Sequence, residues 1–245
     1  MKRGMVSAAM RLFVFQASMN PERLQGLGMA TAVEPLLRDL NGGPAGKAHR
    51  AAMGRAAGFF NTHPYLAGLA VGAVAKAEHE GLSAQQVDRL RTALKGPLGS
   101  LGDRLIWAGA LPAAAAIGLI LVTVTHPLVA ISVFLLLFNA VHMTLRFWGL
   151  QAGWRAGVKV AEALRHPVLQ GGLKVGGPVA ALAIGAAIPV VAEWLMAGFD
   201  AAARWGTVGV ALTTVVVTRW LMPTVGAARL GLLALAATLI LGWLR

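Results

Sequence analysis

A few polar residues stand inside otherwise apolar stretches of this chain, and they are the residues that could do chemistry. Asn61, Thr62 and His63 interrupt an uncharged segment that runs from residue 56 to residue 75. Asp103 follows a glycine-rich stretch and directly precedes a long uncharged run. Amide, imidazole and carboxylate groups in such places can bind the hydroxyl groups of a ligand. An unpaired polar group in a dry site costs about 1–3 kcal/mol, so each of them needs a partner.

No catalytic constellation accompanies these groups. None of the six histidines is spaced with a second histidine or a carboxylate as a convincing metal pair. A nucleophile elbow, a P-loop and a dinucleotide fingerprint are all missing from the sequence. The chain has no cysteine, which excludes disulfides and thiolate metal sites. We therefore predict no catalytic residue, no metal site and no cofactor.

The composition indicates a membrane protein. Of 245 residues, 57% are hydrophobic and only 13% are charged, whereas a soluble domain carries about 25% charged residues. The hydrophobicity also excludes intrinsic disorder. The formal net charge of +12 is spread over loops without interleaved aromatic residues, so we predict no nucleic-acid partner. In a membrane protein such an excess indicates loops that face anionic lipid.

Uncharged runs locate the elements that must position the polar residues. No Asp, Glu, Lys or Arg occurs from Leu105 to Leu145, which is long enough for two spans around a turn at His126-Pro127. We expect an all-α polytopic membrane protein with about five transmembrane helices, plus N-terminal amphipathic and re-entrant or broken helices. The predicted spans are 105–125, 128–147, 175–192, 205–222 and 230–244, and the last two could form one hairpin around 223–226.

The positive-inside rule predicts the orientation. The basic loop over 146–174 should face the cytoplasm, which also places residues before 104 on that side. The seven tryptophans stand largely near predicted span ends, as in an aromatic belt.

The first 104 residues form a region of different character, with 13 basic and 7 acidic residues. We predict an amphipathic interfacial helix over 4–18, because Arg11 interrupts what would otherwise resemble a signal peptide. Ser83 and Gln86 form a capping-box pattern, which predicts a polar helix over 84–95 that Gly96-Pro97 ends. Charged residues from 78 to 91 should keep this part in water. The predicted division is 1–104 and 105–245, within a single membrane domain.

Two alternatives stay open at the polar residues. The segment 56–75 is either a buried helix kinked at Pro64 or a broken segment that lines a ligand site. Asp103 either caps the first span, by accepting from its free N–H groups, or accepts ligand hydroxyls at a re-entrant tip.

Four sequence blocks resemble the IID component of the mannose/fructose/sorbose-type sugar phosphotransferase system. The strongest is Phe59-Phe60-Asn61-Thr62-His63-Pro64, which matches the signature FFNTHP of that family outright. Gly96-Pro97-Leu98 through Gly102-Asp103 follows it and is similar to GPLAGxGD. The other two blocks are 16–28, similar to GSWNxERMQxxG, and 137–157, where Asn139, Arg146, Gly149, Gly153 and Gly157 match.

The resemblance implies a specific function. Such a protein pairs with a homologous IIC membrane subunit, and three IIC–IID pairs carry a hexose-type sugar across the inner membrane. A separate IIB protein, charged at a histidine by IIA, phosphorylates the sugar. The IID chain would be neither an enzyme nor phosphorylated, so His63 should serve capping, packing or a sugar contact. The expected partners are therefore the IIC, IIB and IIA proteins, the sugar and the lipid bilayer.

The residues that offer sugar-binding chemistry can be named. Amides and carboxylates pair with hydroxyls, whereas Arg23 and Arg146 should pair with carboxylates or main-chain carbonyls, because a lone intramembrane cation is costly. For any single residue, polar contact between helices is the alternative role. The predicted substrate-binding residues are Asn20, Glu22, Gln25, Asn61, Thr62, His63 and Asp103.

Three departures from the family pattern motivate a second hypothesis. The family usually has Trp at the position of Met19, Glu at that of Gly58, and Ser or Pro at that of Arg104. Arg104 could form an ion pair with Asp103 and occupy its carboxylate. The alternative function is a non-transporting regulatory or assembly partner in the membrane with the same fold.

Overall fold

The computed structural model describes residues 3–216, and every regular element among them is helical. Two compact units divide the chain, Met1–Val191 and Ala192–Arg245. The α-helices are α1 Met5–Arg11, α2 Gly26–Leu37, α3 Lys47–Ala56, α4 Ala67–His79, α5 Ala84–Gly102, α6 Leu111–Val124, α7 Pro127–Ala156, α8 Val160–Ala163, α9 Pro167–Leu195 and α10 Ala201–Val216. Short 3₁₀ turns cover Leu12–Val14, Gly43–Ala45 and Gly157–Lys159, and a π-helix covers Asp103–Ala110.

Three helical stretches within residues 3–216 are long and apolar enough to cross a membrane. They are Ala84–Val124, Pro127–Ala163 and Leu169–Leu195. The prediction of an all-α membrane protein is thus confirmed. The predicted span 230–244 and the end of the predicted span 205–222 lie outside the described residues, as does the hairpin at 223–226.

The first of these stretches is continuous where the sequence predicted an end. Helix α5 passes through Gly96 and Pro97 and leads through the π-helix into α6, so the predicted stop at 95 is wrong. Part of the clash that proline makes in a helix is with the Cβ of the residue before it, and Gly96 has none. The division at 104/105 falls inside this stretch and stays a prediction.

Local signals placed the helix starts well. The Ser83 hydroxyl accepts from the main-chain N–H of Gln86 at 3.3 Å, and the Gln86 side chain accepts from the Ser83 N–H at 2.9 Å. This capping box begins α5 as predicted. The break between α6 and α7 also lies at the predicted turn, where His126 Nδ1 accepts from the N–H of Leu128 at 3.3 Å.

The N-terminal helix is shorter than predicted. Regular helix ends at Val14 and not at residue 18, because the Phe15 main chain packs on α2. A Cβ at Gly28 would lie within 2.7 Å of the Phe15 carbonyl carbon. One face of the helix, with Met5 and Leu12, is buried, whereas Val6 and Met10 are exposed.

Helix α4 forms the buried centre of the first unit and packs closely on α7. Gly68 and Gly72 of α4 face Gly149 and Gly153 of α7. A Cβ at Gly72 would lie 2.3 Å from the Leu150 carbonyl oxygen. Small residues spaced by four let two helix backbones approach in this way, as in membrane helix pairs.

The charged residues near α4 and α5 are not all in water, contrary to our expectation. Glu78 and Arg91 are buried. Glu78 accepts two bonds from Arg55, at 2.9 Å from Nε and 2.5 Å from Nη2. This pairing holds the pKa of Arg55 above its usual value. A buried carboxylate is tolerated here because its charge is paired.

Candidate functional site

A cleft of about 690 Å³ collects most of the predicted site residues. The loop between α3 and α4 lines one side of it, and the end of α5 with the start of the π-helix lines the other. Five of the seven predicted residues lie on its wall: Gln25, Asn61, Thr62, His63 and Asp103.

The loop over 57–66, which we call the site loop, is the broken segment that the sequence left open. It separates α3 from α4, so Pro64 lies in a loop and does not kink a helix. The start of α2 supports it closely, since a Cβ at Gly26 would lie 2.3 Å from the Gly58 carbonyl oxygen. The main-chain N–H of Phe60 donates to the carbonyl of Arg23 at 3.2 Å.

Gln25 holds the middle of the site loop with both ends of its carboxamide. Its Nε2 donates to the Thr62 carbonyl at 2.8 Å, and its Oε1 accepts from the Thr62 N–H at 2.8 Å. The Thr62 hydroxyl donates to the Lys95 carbonyl at 3.4 Å. These polar groups are buried and paired, so Gln25 and Thr62 shape the cleft, and a direct ligand contact by either residue stays a prediction.

Asn61 and Asp103 are the polar groups that stay available. Both are exposed on the cleft wall, and neither side chain has a hydrogen bond or ion pair within residues 3–216. Asp103 lies at the start of the π-helix, in the middle of a continuous helical stretch. The alternative that it caps a helix start is therefore wrong. A π-helical insertion frequently marks a functional site.

His63 is buried at the edge of the cleft, with 4% of its surface exposed. Its Nδ1 accepts from the Tyr65 N–H at 3.3 Å, which assigns the hydrogen of the neutral ring to Nε2. Burial lowers the pKa of His63, although the Asp103 carboxylate opposes this. Among the described residues, the buried Nε2 has no hydrogen-bond partner, so its N–H is an unsatisfied donor.

Aromatic rings complete the wall. Trp107 is 56% exposed, and its ring lies 6.0 Å from that of His63. Tyr65 contacts His63 edge-on at 5.2 Å between centroids. Phe59, also on the wall, lies under the Lys95 ammonium at 5.0 Å. An exposed aromatic face beside polar groups suits a ligand with both apolar and polar faces.

The other two predicted residues lie outside the cleft lining. Asn20 forms a turn, in which Nδ2 donates to the Ser18 carbonyl at 3.2 Å and Oδ1 accepts from the Arg23 N–H at 2.9 Å. Glu22 is exposed on the same turn. A direct ligand contact by either residue stays a prediction.

The sequence missed several wall residues. The sequence predicts a place in the aromatic belt for Trp107 and does not single out Lys95. Ser100 and Gln16 carried no motif signal of their own. The one available signal was helical spacing, because Gly96, Ser100, Asp103 and Trp107 share a face once α5 is taken as continuous.

The comparison with known protein families identifies the chain. A family model described as "PTS system mannose/fructose/sorbose family IID component" matches residues 1–244. The chain belongs to this family. In this IID chain the three candidate spans support a multi-pass membrane protein.

Individual relatives are similar over part of their length. The PTS system sorbose-specific EIID component of Klebsiella pneumoniae is 32% identical over 171 residues, which cover 68% of this chain and 61% of that protein. The PTS system mannose-specific EIID component of Escherichia coli K12 is 29% identical over 166 residues, covering 66% of this chain and 58% of that protein. This IID chain therefore spans about three fifths of the length of these curated relatives.

Two solved structures are similar to this IID chain. One, described as a membrane protein, has a TM-score of 0.67 at 26% identity. The other is the mannose transporter ManYZ in complex with microcin E492, with a TM-score of 0.59 at 26% identity. Each comparison covers 75% of this chain and 68% of the other.

Proposed function

We propose that this IID chain is a sugar-translocating subunit of a phosphotransferase permease in the inner membrane. It works with a IIC membrane subunit, in a complex of three IIC–IID pairs, and carries a hexose-type sugar. A separate IIB protein, charged by IIA, phosphorylates the sugar. The IID chain contributes no catalytic or phosphorylated residue of its own.

The cleft is the observation that carries this proposal. Asn61 and Asp103 offer an amide and a carboxylate that no other described side chain occupies. The exposed face of Trp107 adds an apolar surface. A hexose presents hydroxyls around its rim and C–H groups on its faces, so this set of groups fits it. Unpaired polar groups in a closed site would reject a ligand that lacks the hydroxyls.

Two substitutions test the sugar contacts. Asp103→Asn removes the charge and keeps the shape, and Asn61→Ala removes the amide. The matched controls are Glu162→Gln and Asn41→Ala, which change exposed residues outside the cleft lining. Losing a hydrogen bond to a charged group costs about 1.5–3 kcal/mol. Asp103→Asn should therefore raise the apparent KM for uptake about 10- to 150-fold.

The assay is uptake of radiolabelled hexoses by cells that lack other mannose-family permeases and express this chain with its IIC, IIB and IIA partners. The controls should retain uptake. If the complete complex takes up and phosphorylates no hexose or hexosamine tested, the transport proposal is wrong. If both cleft variants match their controls, the cleft does not bind the sugar.

The regulatory alternative rests on the departures from the family pattern, and one contact favours it. A Cβ at Gly58 would lie 3.4 Å from Nη1 of Arg91, so the family glutamate would stand beside a buried guanidinium whose carboxylate partner here is Asp88. The double variant Gly58→Glu with Arg104→Ser separates the two functions. Uptake that occurs only in this variant would support the non-transporting partner, whereas uptake by the unchanged chain supports the transporter.

A further inference from the structure

Two buried arginines contact the two ends of the site loop, and neither was assigned a role at the cleft. Arg91 of α5 is 5% exposed and Arg146 of α7 is 7% exposed. Burying a guanidinium is costly unless its donors are satisfied. What each arginine binds therefore indicates why it is buried.

Arg91 holds the beginning of the site loop. Its Nη1 donates to Asp88 Oδ1 at 3.2 Å, and its Nη2 donates to the carbonyls of Ala56 at 3.2 Å and Gly58 at 3.0 Å. Its guanidinium also lies 5.9 Å from the centroid of the buried Phe60 ring. The carbonyls at the end of α3 have no partner in the helix itself, so Arg91 fixes the point at which the chain leaves α3.

Arg146 holds the end of the site loop. Its guanidinium lies 4.8 Å from the Tyr65 ring and 5.0 Å from the Phe13 ring, while Nη1 donates to the Leu12 carbonyl. It has no carboxylate partner within residues 3–216. Tyr65 is also stacked on His142 at 4.8 Å between centroids. Tyr65 in turn contacts His63, so the position of Arg146 is transmitted to the cleft wall.

We propose that Arg91 and Arg146 are positioning residues that hold the site loop at its two ends and so fix Asn61 and His63 in the cleft. The site loop needs such support because much of its main chain bonds to neighbouring segments, through Arg23 and Gln25, and not to a helical ladder of its own. The proposal rests on the proposed function, since it gives the loop a role in sugar binding. The experiment that tests it measures how often the site loop opens.

The chain has no cysteine, so a single introduced thiol reports without background. Thr62→Cys places the reporter in the site loop at a position that is 7% exposed. Val87→Cys places a comparison reporter in the buried face of α5, at 0% exposed. The rate of maleimide labelling in the purified full chain measures how often each position opens.

In the Thr62→Cys background, Arg91→Met and Arg146→Met should each raise the labelling rate about tenfold or more, because charge-assisted bonds to buried carbonyls are lost. The Val87→Cys reporter should change less than twofold. The control variants are Arg89→Met and Arg155→Met, which change exposed arginines on the same two helices, and they should leave both reporters unchanged.

If a methionine variant opens both reporters equally, Arg91→Lys and Arg146→Lys decide. Lysine keeps the charge but loses the planar fork that reaches two acceptors. Selective opening at Thr62→Cys in the lysine variants supports the proposal. Equal opening at both reporters, or no change at Thr62→Cys, overturns it.

Sugar uptake provides the separate readout. The lysine variants should raise the apparent KM while the amount of assembled complex stays constant. Selective labelling without any uptake by the unchanged chain would leave the positioning role intact and contradict only the proposed function.

Discussion

Gly102 is the position at which one added methyl group should disturb the site most directly. It is the last residue of α5 and faces the site loop. A Cβ built there would lie 2.2 Å from both Cβ and Cγ of His63. Real Cβ atoms do not approach another heavy atom below 3.0 Å. Because the His63 Cβ itself is in contact, rotation of the ring cannot relieve the clash, so the loop or the helix must move.

The magnitude follows from two opposing effects. Overpacking a well-packed position costs about 1–3 kcal/mol. Replacing glycine by alanine inside a helix gains about 1 kcal/mol. Gly102→Ala should therefore lower the stability by up to about 2 kcal/mol. On the same helix, Gly99 has no atom within 4 Å of a built Cβ, so Gly99→Ala should raise the stability by up to about 1 kcal/mol.

Thermal unfolding of the purified chain in detergent tests the sign of each change. The midpoint should fall for Gly102→Ala and rise or stay level for Gly99→Ala. The double variant Gly102→Ala with His63→Ala should not recover the midpoint, since alanine keeps the Cβ. A midpoint for Gly102→Ala at or above that of Gly99→Ala would refute the close contact between α5 and the site loop.

Three further predictions concern stability. Burial lowers the pKa of His63 in the folded chain, so the unfolded chain takes up the His63 proton at a higher pH than the folded chain does. The stability should therefore fall as the pH drops below about 6.5. In His63→Gln, a urea titration from pH 8 to pH 5 should lack that part of the fall. Glu78→Gln leaves the partly exposed Arg55 without its carboxylate and should cost about 1.5–3 kcal/mol, seen as a lower thermal midpoint than for exposed Glu162→Gln. Gly72→Ala drives a Cβ against the Leu150 carbonyl and should cost about 1–3 kcal/mol, and unchanged unfolding would contradict the α4–α7 packing.

Elements with local signals were predictable from the sequence. The capping box at Ser83 and the break at His126-Pro127 act through neighbouring residues, so their residue types suffice to locate them. Helix lengths were less predictable, because tertiary contacts decide them. Helix α7 runs to Ala156 and not to 147, since Gly149 and Gly153 let it pack along α4.

Most residues of the candidate cleft could be named from the sequence, but which of them are paired with one another could not. Motif resemblance brought Gln25, Thr62 and Asp103 together as candidates. Only the structure separates the first two, whose polar groups bind each other, from Asp103, whose carboxylate is unpaired within the described residues. No sequence spacing predicts pairing between residues so far apart in the chain.

The three departures from the family pattern have different structural consequences. Arg104 forms no ion pair with Asp103 among residues 3–216, so the carboxylate is available, contrary to the concern that the sequence raised. Met19 lies on the cleft wall and supplies apolar surface where the family has an aromatic ring.

Gly58 faces Arg91, whose Nε has no partner within the described chain. Arg91 pairs with Asp88 at 3.2 Å, and its bonds to the carbonyls of Ala56 and Gly58 hold the loop in its place. The difference at Gly58 therefore bears on the surroundings of Arg91, whereas the difference at Met19 changes the apolar surface of the cleft.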